Sequence, residues 1–182
     1  MRLVATEYLT LDGVFEEPGK WSFPFFNEQA GQFKFDELKA SDALLLGRKT
    51  YEGFAKAWPT MKDTGDFGVK MNSMPKYVIS STLEDPAWTG TIVVTGDAAT
   101  EVRKLKAKPG NDLLLSGSAQ VFNALMREGI IDLYRFMVHP IVLGRGKRLF
   151  ADSIAERTLA YSGSQTFSSG IVVLEYGPAR KA

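Results

Sequence analysis

The stretch LLLGRKTYEGF, residues 44–54, runs three leucines into a glycine, two cations and a hydroxyl. A buried strand that ends this way could do phosphate chemistry. Gly47 would let backbone approach a ligand, Thr50 could cap a following helix, and Arg48 and Lys49 add full charges beside the positive end of its dipole. The same residues also make an ordinary capped turn with two solvated cations. A P-loop does not fit, because GxxxxGK[ST] needs a glycine where this chain has Asp42 and an apolar strand fills what should be the loop.

Two other apolar runs end in related residues. YVISST finishes in Ser80, Ser81 and Thr82, hydroxyls that donate to phosphate without adding charge. LLLSGSAQV passes through Ser116, Gly117 and Ser118 into the helical residues Ala119, Gln120 and Val121, again offering free N–H groups. Each alone reads equally as turn chemistry. Three such ends from one sheet could hold a dinucleotide, although the GxGxxG fingerprint is absent from all of them. Gly144-Arg145-Gly146-Lys147 has two glycines but no helix pattern after it, so it reads as a basic loop.

Other chemistries find few residues. The single histidine, His139, lies in a strand-like run directly before proline, where a structural role is the ordinary one. With no cysteine and no close carboxylate cluster, no metal is expected. Glu16 and Glu17 read as loop surface. Trp21, Phe23, Phe25 and Phe26 either wall a pocket for a planar substrate or pack their loop onto the sheet; the loop's place after the first strand favours the pocket.

The elements that position these residues follow from periodicity. RLVATEYLTL is strand-like and Asp12-Gly13 turns it. The Pro- and Gly-rich loop 16–26 precedes a helical pattern on Phe26, Ala30, Phe33 and Leu38 that ends before Ala43. Strands YVIS, TIVVTG and LLLSGS then alternate with helical DAATEVRKLKA and AQVFNALMREG, as in a mostly parallel sheet with helices on both faces. The last third, LYRFMVHPIVL, TLAYSG and GIVVLEY, has strands without helices and predicts an antiparallel edge. Its apolar content makes a homodimer the expectation.

With 182 residues, 45% hydrophobic and 24% charged, the chain can build one ordinary core without disulfides, so one domain over 1–182 is expected. Glu7 comes too early for a signal peptide's apolar core, and no run is long enough to span a bilayer, which predicts a cytoplasmic protein without membrane contact. A net charge of +1 gathers no nucleic acid and leaves a small molecule as the expected partner.

The ordered series TLDGV, LLLGRKTYE, KYVISST, LLLSGSAQVFNAL, GIIDLY and PIVLGRGKRLF resembles the dihydrofolate-reductase-like superfamily. Its nearest branch is the one related to the C-terminal reductase domain of riboflavin biosynthesis, RibD, over roughly residues 2–176. The resemblance implies a three-layer α/β fold with a mixed central sheet, and NADPH as cofactor. It implies that Gly47, Arg48, Lys49 and Thr50 hold the cofactor's phosphates, including the 2′-phosphate, and that Ser80, Ser81 and Thr82 lie beside the adenosine ribose phosphate. Residues from Ser116 through Val121 would underlie the pyrophosphate and nicotinamide, with a cis peptide at Gly117-Ser118 as in folate reductases. Asp12 would belong to the opening of the substrate loop, with Trp21, Phe23, Phe26 and Glu28 around the substrate.

The acid that true folate reductases carry on the helix after the aromatic loop falls here on Gly31. Glu28, one turn earlier, and Asp36, further on, are the substitutes. No deaminase half is present. The resulting expectation is an NADPH-dependent reductase of a small planar heterocycle or carbonyl compound, pterin-like or riboflavin-precursor-like, on which dihydrofolate is turned over poorly. A nucleotide-binding module without turnover and a true dihydrofolate reductase are the alternatives.

Overall fold

The computed structural model describes residues 1–151 and 154–179. Its eight strands are β1 (Arg2–Thr10), β2 (Ser41–Gly47), β3 (Lys76–Ile79), β4 (Thr91–Val94), β5 (Asp112–Leu115), β6 (Leu133–His139), β7 (Leu159–Thr166) and β8 (Val172–Pro178). They form one sheet in the order β4-β3-β2-β5-β1-β6-β8-β7. The first six are mutually parallel, and β8 and β7 close the sheet antiparallel. This is the mixed α/β fold expected from the alternation of short apolar runs with helices.

Alternation along the strands builds the layers. Leu44 and Leu46 of β2 face one side, packing with Leu38 of α1 (Glu28–Lys39), Tyr51 of α2 (Arg48–Ala57) and Met71 of α3 (Gly65–Ser73). Ala43 and Leu45 face the other, against Val102 of α4 (Ala98–Lys106) and Phe122 and Leu125 of α5 (Ala119–Arg127). Both faces of the central strands β2 and β5 are therefore dry, which is why LLL recurs in each as an unbroken apolar run. Each fully buried leucine contributes roughly 1.5–3 kcal/mol by this burial.

Local chemistry sets the element ends. Asn27 caps α1 by accepting from Ala30 N at 3.0 Å, and β6 stops at His139 because Pro140 has no N–H to continue a ladder. The aromatic loop forms two short 3-10 turns, Pro18–Lys20 and Phe23–Phe25. Helix α3 carries two glycines and only a weak apolar stripe, and it has no counterpart in the sequence reading.

The C-terminal strands differ from expectation in one respect. LYRFMVH is not at an edge: β6 is enclosed between β1 and β8, and VVLEY of β8 is covered by β7. The outer strand is LAYSGSQT, exposed along most of its length and largely polar. The homodimer expectation thus loses the apolar edge on which it stood. Among the described residues no helix is long and apolar enough to cross a membrane.

Candidate functional site: a cleft at the carboxyl ends of the strands

Strand β5 ends at Leu115, opposite Ala5, while β1 runs on to Thr10. The carboxyl ends of β2, β3 and β5 therefore open into a cleft beside the half of β1 that has no strand partner on that side, at the switch in strand order where α/β sheets bind ligands. The cleft encloses about 1930 Å³. A pocket for one small ligand is typically ~300–1,000 Å³, so there is room for two molecules side by side.

One wall is made of two helix starts. Gly47 precedes α2 and Ser118 precedes α5, and neither contributes a side-chain cap. The first N–H groups of both helices are thus left for a ligand. The two turns are joined to each other: Gly47 N donates to Gly117 O at 3.0 Å. A Cβ on Gly47 would lie 2.3 Å from Ser118 Oγ and 3.0 Å from Ser118 N. Gly117, at φ +65°, has Thr50 Oγ1 2.6 Å from where its Cβ would be. The Gly117–Ser118 peptide is cis.

These distances revise two expectations. Gly47 is needed because the neighbouring turn fills the space above it, not to admit a ligand at that atom. Thr50 does not cap α2, whose cap position is Gly47; it packs against Gly117 instead.

All the residues expected around the cofactor line this cleft: Gly47, Arg48, Lys49, Thr50, Ser80, Ser81, Thr82 and the run Ser116–Val121. Arg48 is exposed, with Glu52 3.7 Å away. Ser80 Oγ accepts from Thr82 N at 3.1 Å and Leu83 N at 3.0 Å, which leaves its hydroxyl proton free to be donated. Free helix N-termini, two cations and a row of hydroxyls match the phosphates of a dinucleotide.

The substrate side agrees only in part. Phe23, 70% exposed, and Phe26, 39% exposed, line the cleft. Trp21 does not: its indole donates to Glu16 O at 2.9 Å and its ring meets the His139 ring edge-on at 5.1 Å. It packs the loop onto the sheet, the plainer of its two readings. Asp12 is also outside the cleft. Its carboxylate accepts from Thr10 Oγ1 at 2.6 Å, Gly144 N at 2.9 Å and Leu143 N at 3.2 Å. Those bonds, the Thr10 hydroxyl foremost, hold its pKa down to about 2. Asp12 is a clasp on the basic loop, and it brings Lys147 and Arg148 to the cleft rim.

Glu28 faces a separate groove with Gln32, Asp36 and Arg135, so neither it nor Asp36 reaches the cleft wall as an acid. Gly31 does line the cleft and has no side chain to offer. His139 is buried, held by Met137 O at 2.9 Å and Leu9 O at 3.3 Å, and burial lowers its pKa.

Besides the loop acids Glu16 and Glu17 and the cations of α2 and the basic loop, the ionisable groups that meet the cleft lie on β1 and α1. Thr6 and Tyr8 face α1, where Glu37 is bound by Lys34, by Thr6 Oγ1 at 3.1 Å and by Arg135 at 2.9 Å. Burial pushes the Glu37 carboxyl up, but Lys34 and Arg135 outweigh it and hold it below the usual range. Glu7, on the opposite face of the strand, is 6% exposed and accepts from Gly117 N at 2.7 Å. Burial raises its pKa to about 8, against which the Gly117 bond and Lys34 act. The sequence offered one signal for this residue, an acid inside an otherwise apolar strand. A second wall, from Phe54, Trp58 and Phe67, comes with α2 and α3 and carried no such signal.

The sequence profile of the RibD C-terminal domain matches residues 2–173. The uncharacterized protein YyaP of Bacillus subtilis is 31% identical over 179 residues, 96% of this chain and 94% of its own. Among solved structures, a candidate riboflavin biosynthesis protein from Shewanella sp. PV-4 superposes with a TM-score of 0.78 at 20% identity, covering 99% of this chain and 100% of that one. Dihydrofolate reductase from Enterococcus faecalis, complexed with NADP(H), gives a TM-score of 0.61 at 18% identity, over 96% and 93% of the two chains. Both structures share the fold.

Proposed function

The chain belongs to the RibD C-terminal domain family, and we propose that it is an NADPH-dependent reductase of a small planar heterocycle or carbonyl compound, of pterin-like or riboflavin-precursor-like shape. The observation that carries this reading is the junction of α2 and α5. Two uncapped helix starts lie against each other at Gly47 and Ser118, with Arg48 and Lys49 at their rim.

Bound NADPH supplies the hydride. The chain's residues bind, align and shield. The N–H groups that open α2 and α5 would take the pyrophosphate, and Arg48 with Lys49 the 2′-phosphate. Ser80, Ser81 and Thr82 would hold the adenosine end through hydroxyls. Phe23 and Phe26 would cover the acceptor ring and exclude water from it, while the volume left beyond a dinucleotide receives that ring. That spare volume is also what weighs against a nucleotide-binding module without turnover.

Fluorescence titration with NADPH and NADH tests the reading directly. NADPH is expected to bind at least tenfold more tightly than NADH, since a charge-assisted phosphate contact contributes roughly 1.5–3 kcal/mol. Equal affinity, or no binding of either, would overturn it.

A further inference from the structure

The acid expected on α1 would be Glu28 or Asp36, and neither lines the cleft; the α1 carboxyl that does, Glu37, is ion-paired with Lys34 and Arg135. The structure puts another on β1. Where β5 stops at Leu115, β1 continues without a partner on that side, and the Glu7 carboxyl occupies the step in the sheet. Its Oε1 accepts the Gly117 N–H at 2.7 Å, its remaining exposure is to the cleft, and it forms no ion pair among the described residues.

We propose that Glu7 is a proton store whose occupancy follows the charge of the nicotinamide ring held beside Gly117. The inference rests on the reductase reading above. Its physical basis is that a desolvated carboxyl keeps its proton beside a neutral ring, whereas a positive charge within about 4–6 Å favours the ionised form. The reduced ring is neutral and the oxidised ring is cationic. Glu7 therefore carries a proton with NADPH bound and releases it when NADP⁺ is bound.

In turnover the acceptor carbon takes hydride from NADPH, and the neighbouring nitrogen or oxygen takes a proton. Glu7 gives that proton, is left as a carboxylate, and is refilled from bulk water after the oxidised cofactor leaves.

The surroundings allow this response. From α1, Lys34 favours the ionised form and Glu37 opposes it. Arg135 of β6 is committed to Glu37 and Glu175. The turn Ser116-Gly117-Ser118 and the first turn of α5 carry no charge. Arg48 and Lys49 of α2, and Lys147 and Arg148 of the basic loop, share the cleft but are paired in this reading with phosphate or held at the rim.

The test needs no substrate. Calorimetric titration of NADPH and of NADP⁺ at pH 7, each in two buffers of different ionisation enthalpy, yields the protons exchanged on binding. The 2′-phosphate contributes equally to both cofactors, so the difference between them reports groups that sense the ring. NADP⁺ is expected to release the better part of one proton more than NADPH, and in Glu7→Gln that difference should vanish while both cofactors still bind. Equal proton release by the two cofactors in the unmodified protein would overturn the proposal, as would a difference that survives in Glu7→Gln. Should that variant not fold, carbon NMR of the unmodified protein labelled at glutamate Cδ decides: a buried carboxyl must lose its proton when NADP⁺ replaces NADPH, and its absence refutes the assignment. Failure of both cofactors to bind would instead overturn the reductase reading, and this inference with it.

Discussion

Gly47 and Ser118 are in backbone contact across the cleft wall: the Cβ that Gly47 lacks would stand 3.0 Å from Ser118 N and 2.3 Å from its Oγ. Any side chain at 47 must push the α2 and α5 starts apart. Gly47→Ala is expected to destabilise the fold by about 1–3 kcal/mol, as overpacking does. It should weaken NADPH as well, because both sets of N–H groups move. Thermal unfolding and a cofactor titration of the same variant check both effects; unchanged values for both would show that the two turns are not coupled.

Arg48 should discriminate between cofactors. Arg48→Ala is expected to weaken NADPH by about tenfold or more and leave NADH nearly unaltered, since only NADPH carries the 2′-phosphate. Calorimetry with both cofactors and both proteins measures this. Parallel losses would move the 2′-phosphate elsewhere in the cleft.

Dihydrofolate should be a poor substrate. Its reduction needs a proton at the pterin as well as a hydride. On the α1 side Gly31 presents no acid and Glu37 is held by Lys34 and Arg135, while Glu7 lies on the opposite face of β1 beside Gly117. A Cβ at Gly31 would meet only the Phe26 ring at 3.7 Å, an ordinary contact, so Gly31→Asp has room. Steady-state NADPH oxidation with dihydrofolate should be slow in the unmodified protein and faster in the variant, with about 0.5 kcal/mol or less of helix propensity at stake. Rapid turnover by the unmodified protein would contradict the expectation.

Glu7 also sets a pH dependence of stability that needs no ligand. Its folded-state pKa of about 8 lies above the ordinary 4.5, so between these values the folded protein holds the extra proton. The stabilisation is whole below pH 4.5, declines as pH rises, and is lost above 8. Thermal midpoints of the unmodified protein should therefore fall across that window relative to those of Glu7→Gln. Parallel profiles would show that Glu7 is solvated.

Arg135 balances Glu37 within the sheet. Arg135→Met leaves that carboxylate with Lys34 alone and frees Glu175, and a cost of about 3–5 kcal/mol is expected. Chemical denaturation gives the value directly.

The cleft wall formed by the α2 and α5 starts was legible in the sequence because its signals are local. A strand end, a small residue and a helix start lie within four or five positions, as at Leu46-Gly47-Arg48 and Leu115-Ser116-Gly117, and the parallel fold brings such ends together. The surroundings of the aromatic loop were not, because they are made of residues distant in sequence. Trp21 was assigned to the pocket on its chemistry, but its partner His139 lies more than a hundred positions away. Asp12 was placed there on its motif, yet its carboxylate is spent on the N–H groups of Leu143 and Gly144. Glu7 drew notice only as an interruption of an apolar run, since nothing local reveals that β5 ends beside it. Helix α3 was missed because two glycines blur its period.

The basic loop is fastened largely through its main chain, with a side-chain hydrogen bond from Arg148 Nε, which donates to Asp12 O at 2.9 Å. Asp12 grips the N–H groups of Leu143 and Gly144, Phe15 N donates to Lys147 O at 3.0 Å, and Leu149 N donates to Gly13 O at 3.1 Å. The main-chain attachments do not read the identity of a loop side chain. Arg145 and Lys147 can therefore be exchanged while the rim keeps its course, provided Arg148 stays for its bond to Asp12 O and Gly146 stays because a Cβ there would strike Val14 at 2.8 Å. A library randomised at those two positions would vary what the rim shows to an incoming molecule on an unaltered chassis, so that under the proposed reductase reading acceptor preference could change there apart from the wall formed by the α2 and α5 starts.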